Sequence, residues 1–67
     1  MKFGENLKEL REEKKLSQRQ LAEKVSLTPS AIAKWELSKV DPSASAVVIL
    51  AQFFNVTVGQ LLGVEEY

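Results

Sequence analysis

At 67 residues the chain is one domain at most, close to the lower size limit for folding without covalent or metal staples. It has no cysteine and no histidine, which excludes a disulfide framework, a zinc finger and a Cys/His nucleophile pair. Formal net charge is zero, but it is unevenly spread: about +1 over residues 1–15, +2 over 16–40 and −3 over 41–67. The central stretch is the basic one.

The chain reads as helical throughout, with two prolines, three glycines and no alternating strand pattern. A first helix is expected from about Gly4 to Lys15, with Phe3, Leu7 and Leu10 at helical spacing and charges on the other faces. Arg11 follows directly after Leu10 and so lies at the edge of the apolar stripe, where partial burial is expected. Ser17-Gln18-Arg19-Gln20 fits a capping box that opens a second helix, with Leu16 placed to pack on Leu21. Leu21, Ala22 and Val25 form its inner face, and the small side chain of Ala22 permits close approach of the next helix.

Ser26-Leu27-Thr28 is a tight turn. Thr28 is a good N-cap and Pro29 suits the first helical position, so a third helix runs from Pro29 to about Leu37. Ile32 and Trp35 face inward with Glu36 beside them, leaving Ser30, Ala33 and Lys34 outside. After a loop around Pro42, capped by Asp41 or Ser43, a fourth helix spans about Ala44 to Phe54. Asn55 is expected to be left-handed at its end. Thr57-Val58-Gly59-Gln60 is a second capping box, opening a short helix stopped by Gly63, and residues 64–67 form a tail.

The fourth helix, ASAVVILAQFF, is apolar nearly all round. Ala44, Val47, Val48, Ala51 and Phe54 are expected in the core, leaving Ala46, Ile49 and Phe53 as an exposed stripe. Such a stripe marks a partner surface. Together with Val64 and Tyr67 it reads as a self-association face; the alternative is that the tail folds back and covers it.

The segments LSQRQLAEKV, LTPSAIAKWE, DPS and FFNVTVGQLLG, with the spacing of Leu21, Ala22, Val25, Leu27, Ile32 and Trp35, resemble the lambda-repressor-like domains, the phage Cro and repressor or XRE type of helix-turn-helix regulator. The resemblance runs from Leu7 to Gly63 within a single domain covering residues 1–67. It implies an all-α, five-helix fold that docks its third helix in the major groove of double-stranded DNA. It implies that Gln18, Thr28 and Lys39 contact phosphates, that Pro29, Ser30, Ala33 and Lys34 face bases or adjacent phosphates, and that Arg11 and Glu36 form a structural ion pair. The implied function is a cytoplasmic transcriptional regulator, a repressor, acting as a homodimer on a palindrome. No cofactor, metal, membrane or small-molecule substrate is expected, nor catalysis, since no nucleophile–base pair or phosphate-cradling glycine loop is visible. A chain this short leaves no room for a separate ligand domain, so control is expected through concentration, a partner protein or proteolysis.

Two further departures from the family pattern stand out. Ser26 stands where glycine is common in the turn, at a tolerable cost of about 1 kcal/mol if the backbone there is left-handed. Leu37, Ser38 and Val40 stand where polar, glycine and basic residues are common, which removes phosphate contacts and predicts a shallow salt dependence. Zero net charge, Leu37, Val40 and the apolar stripe of the fourth helix support a competing reading: a protein-interaction module of the same fold, antitoxin-like or an antirepressor partner, with weak DNA binding.

Overall fold

The computed structural model describes residues 2–67, and the capping residues named above set the helix boundaries. Helices run over Phe3–Glu13 (α1), Gln18–Val25 (α2), Pro29–Glu36 (α3), Ala44–Phe54 (α4) and Val58–Leu62 (α5), with no strand among the described residues. Ser17 and Thr57 head full capping boxes: each hydroxyl accepts from the N–H of Gln20 or Gln60, and each glutamine side chain accepts in return from the cap residue's N–H. Thr28 and Ser43 accept from the N–H groups of Ala31 and Ala46.

All five helices end alike. Lys15, Ser26, Ser38, Asn55 and Gly63 each take a left-handed conformation, with φ between 56° and 79°. The following residue then turns its N–H back to a carbonyl in the last helical turn: Leu16 to Arg11, Leu27 to Ala22, Lys39 to Lys34, Val56 to Ala51 and Val64 to Gly59. This is the Schellman closure, in which the residue after the left-handed one packs against the helix it leaves. Leu16, Leu27 and Val56 accordingly sit against the core. Gly63 adopts the left-handed state without a Cβ penalty and Asn55 with little; Lys15, Ser26 and Ser38 pay about 1 kcal/mol each. The first helix is shorter at its end than the sequence suggests, because Lys14 and Lys15 are used for this closure.

One core serves all five helices. Leu7, Leu21, Ile32, Leu50 and Leu61 are fully buried, one from each. α1 packs on α3 and α5, α2 on α3 and α4, and α4 on α5. Phe3 meets Trp35 edge-to-face with ring centroids 6.0 Å apart. At the same junction Gly4 is buried under the end of α3, where a Cβ would collide with the Trp35 carbonyl oxygen and press on the Glu36 carbonyl at 3.1 Å. Those two obstacles are backbone, while the third, Ser38 Oγ at 3.0 Å, is a side chain that can turn away. Gly4→Ala is therefore expected to destabilise the fold by about 1–3 kcal/mol despite alanine's better helix propensity, read as a lowered midpoint in urea unfolding.

Helix α4 corrects the expected orientation. Ala46 is buried in the core, 3% exposed, with Val47, Leu50, Ala51 and Phe54, whereas Ala44 and Val48 are exposed. The stripe passes through Leu50, and that phase turns Ala46 inward and Val48 outward. A helix apolar on nearly every side has no contrast from which its inward direction can be read. Ala46 is thus no interface residue. Ile49 is exposed. Phe53 is half-buried, edge-to-face on Phe54 at 5.0 Å and beneath the Lys14 ammonium. The tail is tied to α5: Thr57 Oγ1 donates to Glu65 Oε1 at 2.6 Å, and Gln60 Nε2 to the Glu66 carbonyl at 3.1 Å. Val64 and Tyr67 stay exposed, Tyr67 beside Glu9, Leu10 and Glu13 of α1. Ile49 remains open to solvent, so the tail does not cover it.

Candidate nucleic-acid interface

Helices α2 and α3 and the turn between them present the candidate surface. Ile32 and Trp35 anchor α3 in the core, which turns Pro29, Ser30 and Lys34 to solvent and leaves Ala33 half-buried among them. Thr28 is exposed at the start of α3 and Lys39 just beyond its end. The Thr28 hydroxyl accepts from the Ala31 N–H, so its own hydrogen remains available to an outside acceptor. The outward face of α3 is small and flat apart from Lys34. It carries a cation with three donors, a hydroxyl and two apolar groups.

Beneath this face lies the main polar cluster. Arg11 Nε donates to Glu36 Oε2 at 2.7 Å and Nη2 to Oε1 at 2.9 Å, a two-pronged ion pair joining α1 to the last residue of α3. Arg11 Nη1 also donates to the Leu16 carbonyl at 2.7 Å, tying in the turn before α2. The two side chains are only 11% and 4% exposed. The hydrogen bond to Glu36 raises the Arg11 pKa above its ordinary value, against the opposing effect of burial. Among the described residues no buried side-chain polar atom lacks a partner.

Gln18 is the residue whose setting differs most from expectation. Its amide is turned toward the protein, Nε2 donating to Glu36 Oε1 at 3.0 Å. It is half-buried at the first position of α2. Arg19, the next residue, is a cation that the sequence reading passed over. Its side chain is 83% exposed and 3.6 Å from Glu23 on the same helix, a pairing too exposed and long to hold it firmly. The signal the sequence carries is a basic residue beside Gln18 in the first turn after the Ser17 cap. The other candidates, Ala46, Ile49, Phe53, Val64 and Tyr67, are not part of this α2–α3 surface.

Comparison with known proteins identifies the family. The Helix-turn-helix family model matches residues 7–61. The chain belongs to the helix-turn-helix family, in its lambda-repressor-like, XRE-type branch, a DNA-binding and non-enzymatic class. It is similar to the HTH-type transcriptional activator BcrR of Enterococcus faecalis, with 42% identity over 66 residues, which is 98% of this chain and 32% of that protein. It is also similar to the immunity repressor protein of Bacillus phage phi105, with 37% identity over 65 residues, 97% of this chain and 45% of that protein. The HTH-type transcriptional regulator ImmR of Bacillus subtilis (strain 168) shares 30% over 66 residues, 98% of this chain and 52% of that protein. The chain thus spans about a third to a half of the length of these relatives. No solved structure matches it. Among the described residues no helix is long and apolar enough to cross a membrane.

Proposed function

We propose that the chain regulates transcription by inserting α3 into the major groove of double-stranded DNA, as a symmetric homodimer on a palindromic site. The observation that carries this reading is the outward face of α3, with Ser30, Ala33 and Lys34 presented on a helix whose other side is locked by Ile32 and Trp35. Lys34 reaches guanine O6 or N7, Ser30 bonds to either kind of base edge, and Pro29 and Ala33 meet a thymine methyl. Thr28, Lys39 and Gln18 set the domain on phosphates without reading sequence. Occupying a promoter suffices for repression. The named relatives include both an activator and a repressor, so the sign follows from where the site lies.

Dimerisation is part of the proposal because one lysine per domain is a thin code. The domain measures 27 × 23 × 19 Å, while two recognition helices must sit about 34 Å apart to enter successive turns of one groove. One domain is too small to reach both half-sites, so two copies are required. The face we assign to the contact is the open, largely apolar groove of ≈ 380 Å³ between α4 and α5, lined by Pro42, Ala44, Val47, Val48, Val58 and Leu62 together with Asp41.

Selection of bound sites from a random duplex pool tests the reading. The expected result is a two-fold symmetric site with half-sites about one helical turn apart. Lys34→Ala is expected to erase preference at one position of each half-site, a loss of about 1–3 kcal/mol in discrimination there, with the other positions kept. Equal weakening on every sequence would contradict the reading role. No binding to any duplex at low salt would overturn the proposal in favour of a protein-interaction module. That alternative draws on Leu37 and Val40, which stand 67% and 48% exposed just past α3.

A further inference from the structure

We infer that Glu36 is a positioning residue for DNA contact: it holds the Gln18 amide so that an N–H, rather than the carbonyl oxygen, meets a phosphate. The inference rests on the DNA-binding reading above and adds to it a residue that itself touches no DNA. An ionised carboxylate only accepts hydrogen bonds, so the partner at 3.0 Å from Glu36 Oε1 is the amide nitrogen of Gln18, and the polarity of the amide is fixed by chemistry. That nitrogen carries two hydrogens, and one is used. The second N–H meets no protein acceptor among the described residues, and Gln18 is half-buried at the start of α2 with one edge to solvent.

Polarity matters because a phosphate accepts and never donates. The last torsion of a glutamine is broad and roughly two-fold, so an unheld amide turns its oxygen outward as readily as its nitrogen. Glu36 removes that freedom before DNA arrives. A carboxylate so near a phosphate would by itself repel it. Arg11 cancels that charge through two hydrogen bonds, at 2.7 and 2.9 Å, and is itself fixed to the Leu16 carbonyl. The cluster thus links the end of α1, the start of α2 and the end of α3, and the Gln18 amide keeps a second N–H beyond the one that Glu36 holds.

The test is a double-mutant cycle on the full chain, measuring affinity for a duplex of random sequence at fixed low salt. Gln18→Ala is expected to weaken binding to every sequence by roughly three- to ten-fold, the range of one hydrogen bond. Glu36→Gln, with affinity referred to the folded fraction that Trp35 fluorescence reports, is expected to weaken it comparably when Gln18 is present and to add nothing when Gln18 is alanine. Additive losses would overturn the positioning role. So would tighter binding with a salt slope steeper by about one phosphate, since Arg11 would then simply have been released onto DNA. A second measurement keeps the charge balance of the buried pair. In the free wild-type chain the Gln18 side-chain amide is expected to be ordered by 15N relaxation, and Glu36→Asp, which keeps the charge but withdraws the carboxylate, is expected to loosen it. An averaged amide in a chain that binds DNA overturns the positioning role alone. An ordered amide in a chain that binds no duplex overturns the DNA-binding reading, and this inference with it.

Discussion

Arg11→Ala is expected to leave a large fraction of the protein unfolded at 25 °C. The guanidinium is the charge partner of Glu36, whose side chain is 4% exposed, and it also caps the Leu16 carbonyl. Alanine strips all three hydrogen bonds and strands a buried carboxylate beside the core. Breaking a buried pair from one side costs about 3–5 kcal/mol, comparable with the whole stability, about 3–5 kcal/mol, that a core of this size supplies. Trp35, 7% exposed and one residue before Glu36, reports the transition by fluorescence in urea. A midpoint within a few tenths of a molar of wild type would show that water reaches Glu36 and carries its charge.

The same physics predicts an asymmetry. Replacing both partners by apolar residues of similar volume, Arg11→Met with Glu36→Met, removes the stranded charge along with the attraction. It is expected to restore most of the stability lost in Arg11→Ala, because exchanging a buried pair for apolar contact is often neutral or favourable. The paired variant also leaves Gln18 without its acceptor. A fold that recovers while DNA affinity does not would separate the cluster's structural part from its part in contact.

What could be read from the amino-acid order follows the range of each interaction. The capping boxes at Ser17 and Thr57 and the left-handed Asn55 are set by groups within four residues of each other, and they were legible. Left-handed Lys15 and Ser38 were not, because no local preference favours them; packing of the chain after α1 and α3 imposes the turn. Gly4 carries no local signal either, since its need is the Trp35 carbonyl thirty-one residues on. At the candidate surface the outward face of α3 was legible, because Ile32 and Trp35 fix its phase by spacing alone. The direction of the Gln18 amide was not. Glu36 lies 18 residues further on, and either orientation of the amide is chemically reasonable until the carboxylate is placed.

Helix α4 supplies the second large effect, a paired substitution two residues apart. Ala46→Asp places an unpaired carboxylate at a position 3% exposed within the shared core. A buried charge without a partner costs several kcal/mol, enough to exhaust the stability of a domain this small. Val48→Asp puts the same group at a position 43% exposed, on the wall of the groove between α4 and α5. Monomer stability there is expected to change by no more than about 0.5 kcal/mol. The cost falls instead on the proposed contact between copies, where the two-fold axis sets each new carboxylate against the partner's apolar wall. Sedimentation is expected to show monomer at concentrations where wild type is dimeric. Affinity for a palindromic site is expected to drop by about 10²-fold or more, since joining two half-site contacts contributes that much without any new contact. A Val48→Asp chain that sediments as a dimer and keeps its affinity would move the interface elsewhere, to the exposed Val64 and Tyr67 of the tail. A folded Ala46→Asp chain would mean that α4 is rotated in solution, with the 46–49–53 stripe outward after all.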